Sequence, residues 1–361
     1  MNRVTKKLTM IVIIAMTAAM LCTQALAMDF TVMPELPDNQ RNNGNSYFDL
    51  KVSPGQQQVI EITISNRSES EILVLVEVIT ASTNGSGGIN YTSKGDILDE
   101  SLKYSFEDIA TIPESHYAVP AEGSIQVPIS LNIPEDPFDG TILGSIRVLR
   151  EATEEERAAA GAIVNQYAYV TAVRLVQDEI AADAIVPDFA LGEVTAQLVN
   201  YRAAITANVR NPLPIVIKEA SASAKVFPKG EKEAIFEQSM AVVDFAPNSI
   251  FPFSLVDEAG YGIAAGDYTA LITIEYKGES WLFERDFTIA QQEAAAVNQG
   301  ALNQTGAQRP MPTNPTSFSM EMPTWLLVGI ALGAALLISL IVLIIVLLKS
   351  RAKASVFRGL R

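Results

Sequence analysis

The sequence predicts an all-β chain built as two β-sandwich domains in tandem. Three observations carry that expectation. Short runs in which apolar and polar residues alternate recur from about residue 29 to residue 289. Clusters of Pro, Gly, Asn and Ser separate them at the spacing of strand turns. Between an apolar N-terminal leader and an apolar C-terminal run lie 297 residues, Met28 to Thr324, enough for two cores.

In the first half, Ile125, Val127, Ile129, Leu131 and Ile133 alternate with polar residues and Pro128, a half-buried strand that the proline puts at a sheet edge. Ile60, Ile62 and Ile64 alternate with Glu61 and Thr63. Glu71 to Ile79 is almost wholly aliphatic and reads as a central strand buried on both faces. Further strands are expected at 141–150 and 166–177, with turns at Ser53-Pro54-Gly55, Thr83 to Gly88 and Pro134 to Gly140. Ala152 to Ile163, rich in Glu and Ala with Glu154, Glu155 and Glu156 leading, reads as a short inserted helix. In the second half, strands are expected at 191–199, 203–210, 214–227, 251–256, 267–277 and 280–289. The boundary falls near Asp178 to Pro187 with no long linker. Gln291 to Thr324 reads as a disordered stalk, with a short helix at its first residues.

The ends fix the expected topology. Arg3, Lys6 and Lys7 precede the apolar Leu8 to Leu21, and Ala25-Leu26-Ala27 is an A-x-A cleavage site, so residues 1–27 read as a signal peptide. Cys22 follows Leu21, where a lipidation motif wants a small residue, so the cleavage site is the better fit. Trp325 to Leu348 is a 24-residue run without charge, about 36 Å as a helix, long enough for one membrane span. Lys349, Arg351, Lys353, Arg358 and Arg361 follow, so residues 349–361 form a cytoplasmic tail and the rest lies outside. Gly329 and Gly333 in the run would permit close helix packing. With Cys22 removed the mature chain has no cysteine, which points to a Gram-positive surface rather than a disulfide-bonded ectodomain.

All 41 acidic residues and 18 of the 26 basic ones lie between Met28 and Thr324, a formal charge of −23. Such a field repels nucleic acid, which is excluded as a partner. The chemistry of catalysis is thinly represented. His116 is the single histidine, so neither zinc nor a His-activated nucleophile is supported. Thr83 to Gly88 lacks the Gly-Lys-Ser/Thr ending of a phosphate loop and reads as a hairpin into Ile89-Asn90-Tyr91. Glu135, Asp136 and Asp139 match no calcium loop. No enzyme, metal or cofactor is expected.

The first half carries Asn39-Gln40, Tyr47-Phe48-Asp49-Leu50, Pro54-Gly55-Gln56, Asn66, Thr83-Asn84 leading to Gly88-Ile89-Asn90-Tyr91, and Asn165-Gln166-Tyr167-Ala168-Tyr169-Val170. The second carries Asn211, Ala246-Pro247-Asn248-Ser249, Ala265-Gly266-Asp267-Tyr268, Trp281-Leu282-Phe283 and Phe287-Thr288-Ile289. In this order, with this topology, the chain resembles the WxL-interacting proteins of Gram-positive bacteria. One departure is Thr171-Ala172, where that pattern leads us to expect Ile-Gly.

The resemblance implies a peptidoglycan-binding first domain (28–180), a second domain (181–290) for a host extracellular ligand, and complexes with secreted WxL-domain proteins. The fold expected is two tandem immunoglobulin-like β-sandwiches. Tyr47, Asp49, Asn84 and Tyr91 are the candidate ligand-binding residues, an aromatic set with amide and carboxylate groups suited to a sugar. Readings from other classes are an accessory protein presenting polysaccharide-degrading enzymes and a membrane-tethered chaperone for exported subunits.

Overall fold

The computed structural model describes residues 29–94, 98–160 and 166–305. The signal peptide, the membrane run with its glycine pair and the basic tail lie outside them. Among the described residues no helix is long and apolar enough to cross a membrane.

Two sheets face each other in the first sandwich. One runs in the order β1 (Phe30–Glu35), β3 (Gln57–Asn66), β9 (Ser124–Asn132) and β7 (Ala110–Thr111). The other runs β2 (Phe48–Lys51), β11 (Ala168–Val176), β10 (Thr141–Arg150), β4 (Ile72–Thr80) and β8 (His116–Val119). The alternation read from the sequence is what fills the space between them. Ile60, Ile62 and Ile64 of β3 and Val127, Ile129 and Leu131 of β9 meet Val74 and Val76 of β4, Ile146 and Val148 of β10, and Val173 and Leu175 of β11. Pro128 lies opposite Glu61 of β3, while β7 reaches β9 only at Ser130 and Leu131. The strand is therefore an edge locally at its proline, although β7 closes the sheet.

One strand differs from expectation. The first half of β4 is buried on one face only, since Leu73 is exposed. Its far end is covered on both faces because helix α1 (Phe106–Ile109) lies near it. Phe106 rests against Gly144 of β10, where a Cβ would come within 2.2 Å of the ring. The inserted helix is present as α2 (Glu154–Ala160), and its start is fixed by a capping box: Glu156 N–H donates to Thr153 Oγ1 (3.1 Å) and Thr153 N–H to Glu156 Oε2 (2.9 Å).

After the short helix α3 (Glu179–Asp183) comes the second sandwich. Its sheets are β12 (Ala190–Val199), β13 (Arg202–Asn211) and β16 (Ser249–Val256), against β15 (Phe236–Phe245), β14 (Ile217–Pro228), β17 (Gly266–Tyr276) and β18 (Glu279–Ile289). Large and small side chains share its core: Phe245, Phe251 and Phe253 with Ala220, Ala222 and Ala224. Strand β15 has no counterpart in the sequence reading. It is an edge strand exposed along most of its length, so burial imposes an apolar pattern only at Val243 and Phe245. The stretch expected to be a stalk begins as helix α4 (Gln291–Thr305). Ala294 and Val297 bury into the sandwich core, and the Asn298 side chain brackets Ile263, accepting from its N–H and donating to its carbonyl, both at 2.8 Å. A small, alanine-rich face suffices to dock this helix, which is why its low apolar content reads as disorder.

The two sandwiches repeat one plan. β1, β3 and β9 correspond in order and antiparallel pairing to β12, β13 and β16; β8, β4, β10 and β11 correspond to β15, β14, β17 and β18. The same asparagine turns the corner in each. Asn66, ending β3, is buried; its Nδ2 donates to the carbonyls of Ser70 (2.7 Å), Val119 (3.1 Å) and Pro120 (3.0 Å), and its Oδ1 accepts from Ser68 N–H (2.9 Å). Asn211, ending β13, donates to Ile215 (2.9 Å) and Ala246 (2.8 Å) and accepts from Leu213 N–H (3.2 Å). Each amide closes its own turn and ties it to a distant segment. Replacing either by Ala leaves buried carbonyls unsatisfied, at about 1–3 kcal/mol per group. Asn66→Ala and Asn211→Ala should each lower the midpoint of thermal unfolding by several degrees in a calorimetric scan. An unchanged midpoint would show that the corners are incidental.

Candidate functional site

A single insertion in the first sandwich builds most of the contact with the second. Between β4 and β8 the chain makes the hairpin β5 (Ser82–Thr83) and β6 (Ile89–Asn90), and then a segment through Leu98 to Ser105. The hairpin is the turn expected at Thr83 to Gly88. Gly87, with φ of +80°, tucks against Met240, Val243 and the Val242 carbonyl, and its own carbonyl accepts from Asp244 N–H at 2.7 Å. Thr83 is buried at the base. Ser249 Oγ donates to the Ala246 carbonyl (2.7 Å), so its oxygen is left to accept from Thr83 (2.6 Å), whose own oxygen accepts from Ala246 N–H (2.9 Å). Both hydroxyls in this buried contact are thereby satisfied.

The strongest link is ionic. Asp99 has a fully buried side chain and receives Arg210 of β13 in a two-pronged grip, Nε to Oδ2 at 2.5 Å and Nη2 to Oδ1 at 3.0 Å. Asn248 Nδ2 donates to Ser101 Oγ (2.9 Å), and Asp99 N–H to the Asn248 carbonyl (3.1 Å). On the far side Thr141 N–H donates to the Pro214 carbonyl (2.7 Å), and Gly140 packs so closely that a Cβ would lie 2.2 Å from that oxygen. Burial works to raise the Asp99 carboxyl, but the bonds from Arg210 and Ser101 outweigh it and hold the group below its usual range.

Beside this contact lies a cleft of about 520 Å³. Tyr47 and Tyr91 line it from the first sandwich, Tyr276, Lys277 and Lys218 from the second, with Arg174 of β11 and Asp183 of α3. Each tyrosine of the first sandwich is placed through its backbone: Gln40 Nε2 donates to the Tyr47 carbonyl (3.0 Å) and Ser145 Oγ to the Tyr91 carbonyl (2.7 Å). Burial, with smaller contributions from Tyr47 and Asp244, pushes the Tyr91 hydroxyl up to about 12.

Of the four residues selected from the sequence, Tyr47 and Tyr91 share this cleft. Asp49 lies behind it, buried, accepting from Arg41 (2.9 Å) and Arg174 (3.3 Å); it orients Arg174. Arg41 also pairs with Glu179 at the start of α3. Asn84 does not line the cleft. Its Oδ1 accepts from Ser86 N–H, Ser86 Oγ and Gly88 N–H within the hairpin. Lys218, Tyr276 and Lys277 escaped the sequence reading because a lysine or tyrosine beside a turn has no distinguishing pattern. His116 is exposed, its Nε2 3.7 Å from Glu151. Among the described residues no group of three or more His, Cys, Asp or Glu side chains is placed to hold a metal.

Comparison with protein families matches residues 30–150 to the WxL Interacting Protein peptidoglycan binding domain and residues 159–299 to the WxL Interacting Protein host binding domain. The chain belongs to the WxL-interacting protein family. Both matched domains are binding domains, which makes this member a cell-surface binding protein with peptidoglycan and WxL proteins as its partner classes. The division between the two family domains falls between β10 and β11, yet those strands pair along Thr141 to Leu149 within one sheet of the first sandwich. Comparison with curated proteins finds no match. Solved structures similar to this WxL-interacting protein include the CupB2 chaperone of Pseudomonas aeruginosa, with 13% identity over 65% of this chain and 93% of that one and a TM-score of 0.25. A chain of the CsuC–CsuE chaperone–tip adhesion subunit pre-assembly complex of Acinetobacter baumannii shows 10% identity over 62% and 89%, with a TM-score of 0.28. Scores this low transfer neither function nor partner.

The Asp99 clamp is testable. Asp99→Ala leaves Arg210 with only the exposed Glu100 carboxylate, 2.8 Å from Nη2, and removes two charge-assisted hydrogen bonds across the contact, a loss of about 1–3 kcal/mol. Unfolding in urea should change from one transition to two as the sandwiches uncouple. Because the folded Asp99 carboxyl titrates below its unfolded value, the coupling should be complete above about pH 4 and fade as the pH falls further. A single transition at every pH in the variant would remove the clamp from the account.

Proposed function

We propose that this protein is a membrane-anchored scaffold that holds secreted WxL-domain proteins close to the cell membrane while its first sandwich contacts peptidoglycan. The observation that carries the reading is the two family domains following each other on one all-β ectodomain. The sequence at the ends supports the anchor: a signal peptide at 1–27, the uncharged run Trp325 to Leu348 and the basic tail at 349–361. Two immunoglobulin-like modules, about 28–180 and 181–290, form the ectodomain, and the second is offered to a host extracellular ligand. Helix α4 docks on that module through Ala294 and Val297, so the proposed stalk begins after it.

Tyr47 and Tyr91 are the residues proposed to meet the wall ligand, with Asp49 acting through Arg174. Asn84 serves by holding the hairpin that carries Tyr91. A WxL partner can add a strand at an open sheet edge, where unpaired N–H and C=O groups give affinity without a pocket. No catalytic step is assigned.

The test is retention. Residues 28–305, which include α4, are immobilised and exposed to purified peptidoglycan and, separately, to the secreted proteins of the same organism. Capture of a WxL-domain protein together with glycan retention is the expected result. Glycan retention alone would reduce the protein to a wall-contact module, and binding of neither would end the scaffold reading.

A further inference from the structure

We propose that the cleft between the sandwiches takes a carboxylate-bearing amino sugar, its ring laid on tyrosine and its carboxylate held by Lys218 and Lys277. The inference rests on the wall-binding reading above and names the chemical group recognised. The cleft reverses the charge of the surface around it. The segment from Met28 to Thr324 carries a formal −23, so an anion approaching at random is repelled. Among the cleft-lining residues the balance is opposite: Arg174, Lys218 and Lys277 stand against the one carboxylate of Asp183.

These cations do not serve the same purpose. Arg174 is committed to Asp49. Lys218 and Lys277 form no ion pair among the described residues; Lys277 instead lies over the Tyr276 ring, 5.0 Å from its centroid. Lys218 lies at the start of β14, and Lys277 lies in the turn after β17 of the same sheet. The pairing of β14 with β17 runs from Pro228 with Tyr268 to Ser221 with Glu275, and carrying it on past Ser221 brings the start of β14 beside the turn after Tyr276. Four other lysines, Lys94, Lys103, Lys225 and Lys229, each have a carboxylate within 4.0 Å, while Lys51 and Lys232, which form no ion pair among the described residues, do not line the cleft. Two ammonium groups without a carboxylate partner among the lining residues of one cleft suit a ligand with a single negative charge.

The rest of the lining selects what bears that charge. Tyr47, Tyr91 and Tyr276 are among the lining residues, and polarised C–H bonds of a sugar ring sit favourably against the negative face of a tyrosine ring. The Tyr91 hydroxyl, protonated at neutral pH as any tyrosine is, can donate a hydrogen bond to a ligand. A volume of about 520 Å³ is that of a small-ligand site rather than of a polymer groove. In the wall glycan the acidic amino sugar is N-acetylmuramic acid, whose carboxylate is either free on its ether side arm or carried at the end of its peptide.

The full chain, purified in neutral detergent, is titrated with three probes: the N-acetylglucosamine–N-acetylmuramic acid disaccharide, the same disaccharide bearing its peptide, and the neutral N-acetylglucosamine dimer. Wild type should prefer an acidic probe to the neutral one by about tenfold at low salt, a preference that shrinks as salt rises. Comparing the two acidic probes tells which carboxylate is read. Lys218→Gln with Lys277→Gln should abolish the preference while leaving thermal unfolding unchanged, since both side chains are exposed. Equal affinity for acidic and neutral probes, no binding of any probe, or a preference that survives the double variant would overturn the proposal. Cosedimentation with intact peptidoglycan separates this failure from that of the wider reading: if wild type still sediments, wall binding stands without the cleft, and if it does not, both fall.

Discussion

The Asp99–Arg210 pair is the constraint on which the geometry of this molecule turns. Neither residue belongs to a core. One sits on an inserted segment of the first sandwich and the other on the opposing strand of the second, and their two-pronged contact leaves the carboxylate with no exposed surface. A buried carboxylate is tolerable only while its partner stays in place. The sandwiches therefore cannot drift apart without stranding a charge. The hydroxyl chain of Thr83 and Ser249 and the close approach of Gly140 to Pro214 reinforce the same alignment. The cleft draws its walls from both sandwiches, so its shape follows from this lock.

The internal repeat explains where function has room to arise. Seven strands recur in the same order in both sandwiches, and the asparagine corners recur with them. What differs is added material. The first sandwich carries the β5–β6 hairpin and the segment through Asp99 where the second has only the short β14–β15 connection, and it carries β2 beside β11 where β18 is the last strand of its sheet. Tyr47 precedes β2, Tyr91 follows β6, and Asp99 lies on the insertion. The cleft and the clamp are thus built from the departures, on a frame shared by both halves.

Legibility in the sequence follows the same division. The frame was readable because one-sided burial writes itself as alternation, plainly in β3 and β9. It failed where burial is slight, in β15, and it overstated β4, whose aliphatic run is partly solvent-facing at Leu73. Helix α4 was expected only as a short helix opening a disordered stalk, because the alanines that dock it carry little apolar signal. At the site, Tyr47 and Tyr91 came from the order of family motifs, while the second wall, Lys218, Tyr276 and Lys277, had no local signal: its meaning exists only once two distant turns are brought opposite the first sandwich. The asparagine corners were equally silent, since Asn before a turn is commonplace and only the tertiary structure reveals the distant carbonyls each one holds.

The central claim is that the two sandwiches move as one body. The most direct measurement is a distance distribution between spin labels placed on exposed positions of β3 and β18, one on each sandwich, by double electron–electron resonance. A single narrow distribution, unchanged between low and physiological salt at neutral pH, is the result expected of a lock built from buried groups. A broad or bimodal distribution in the unmodified protein would mean that the clamp does not hold, and that the cleft has no fixed shape with which to recognise anything.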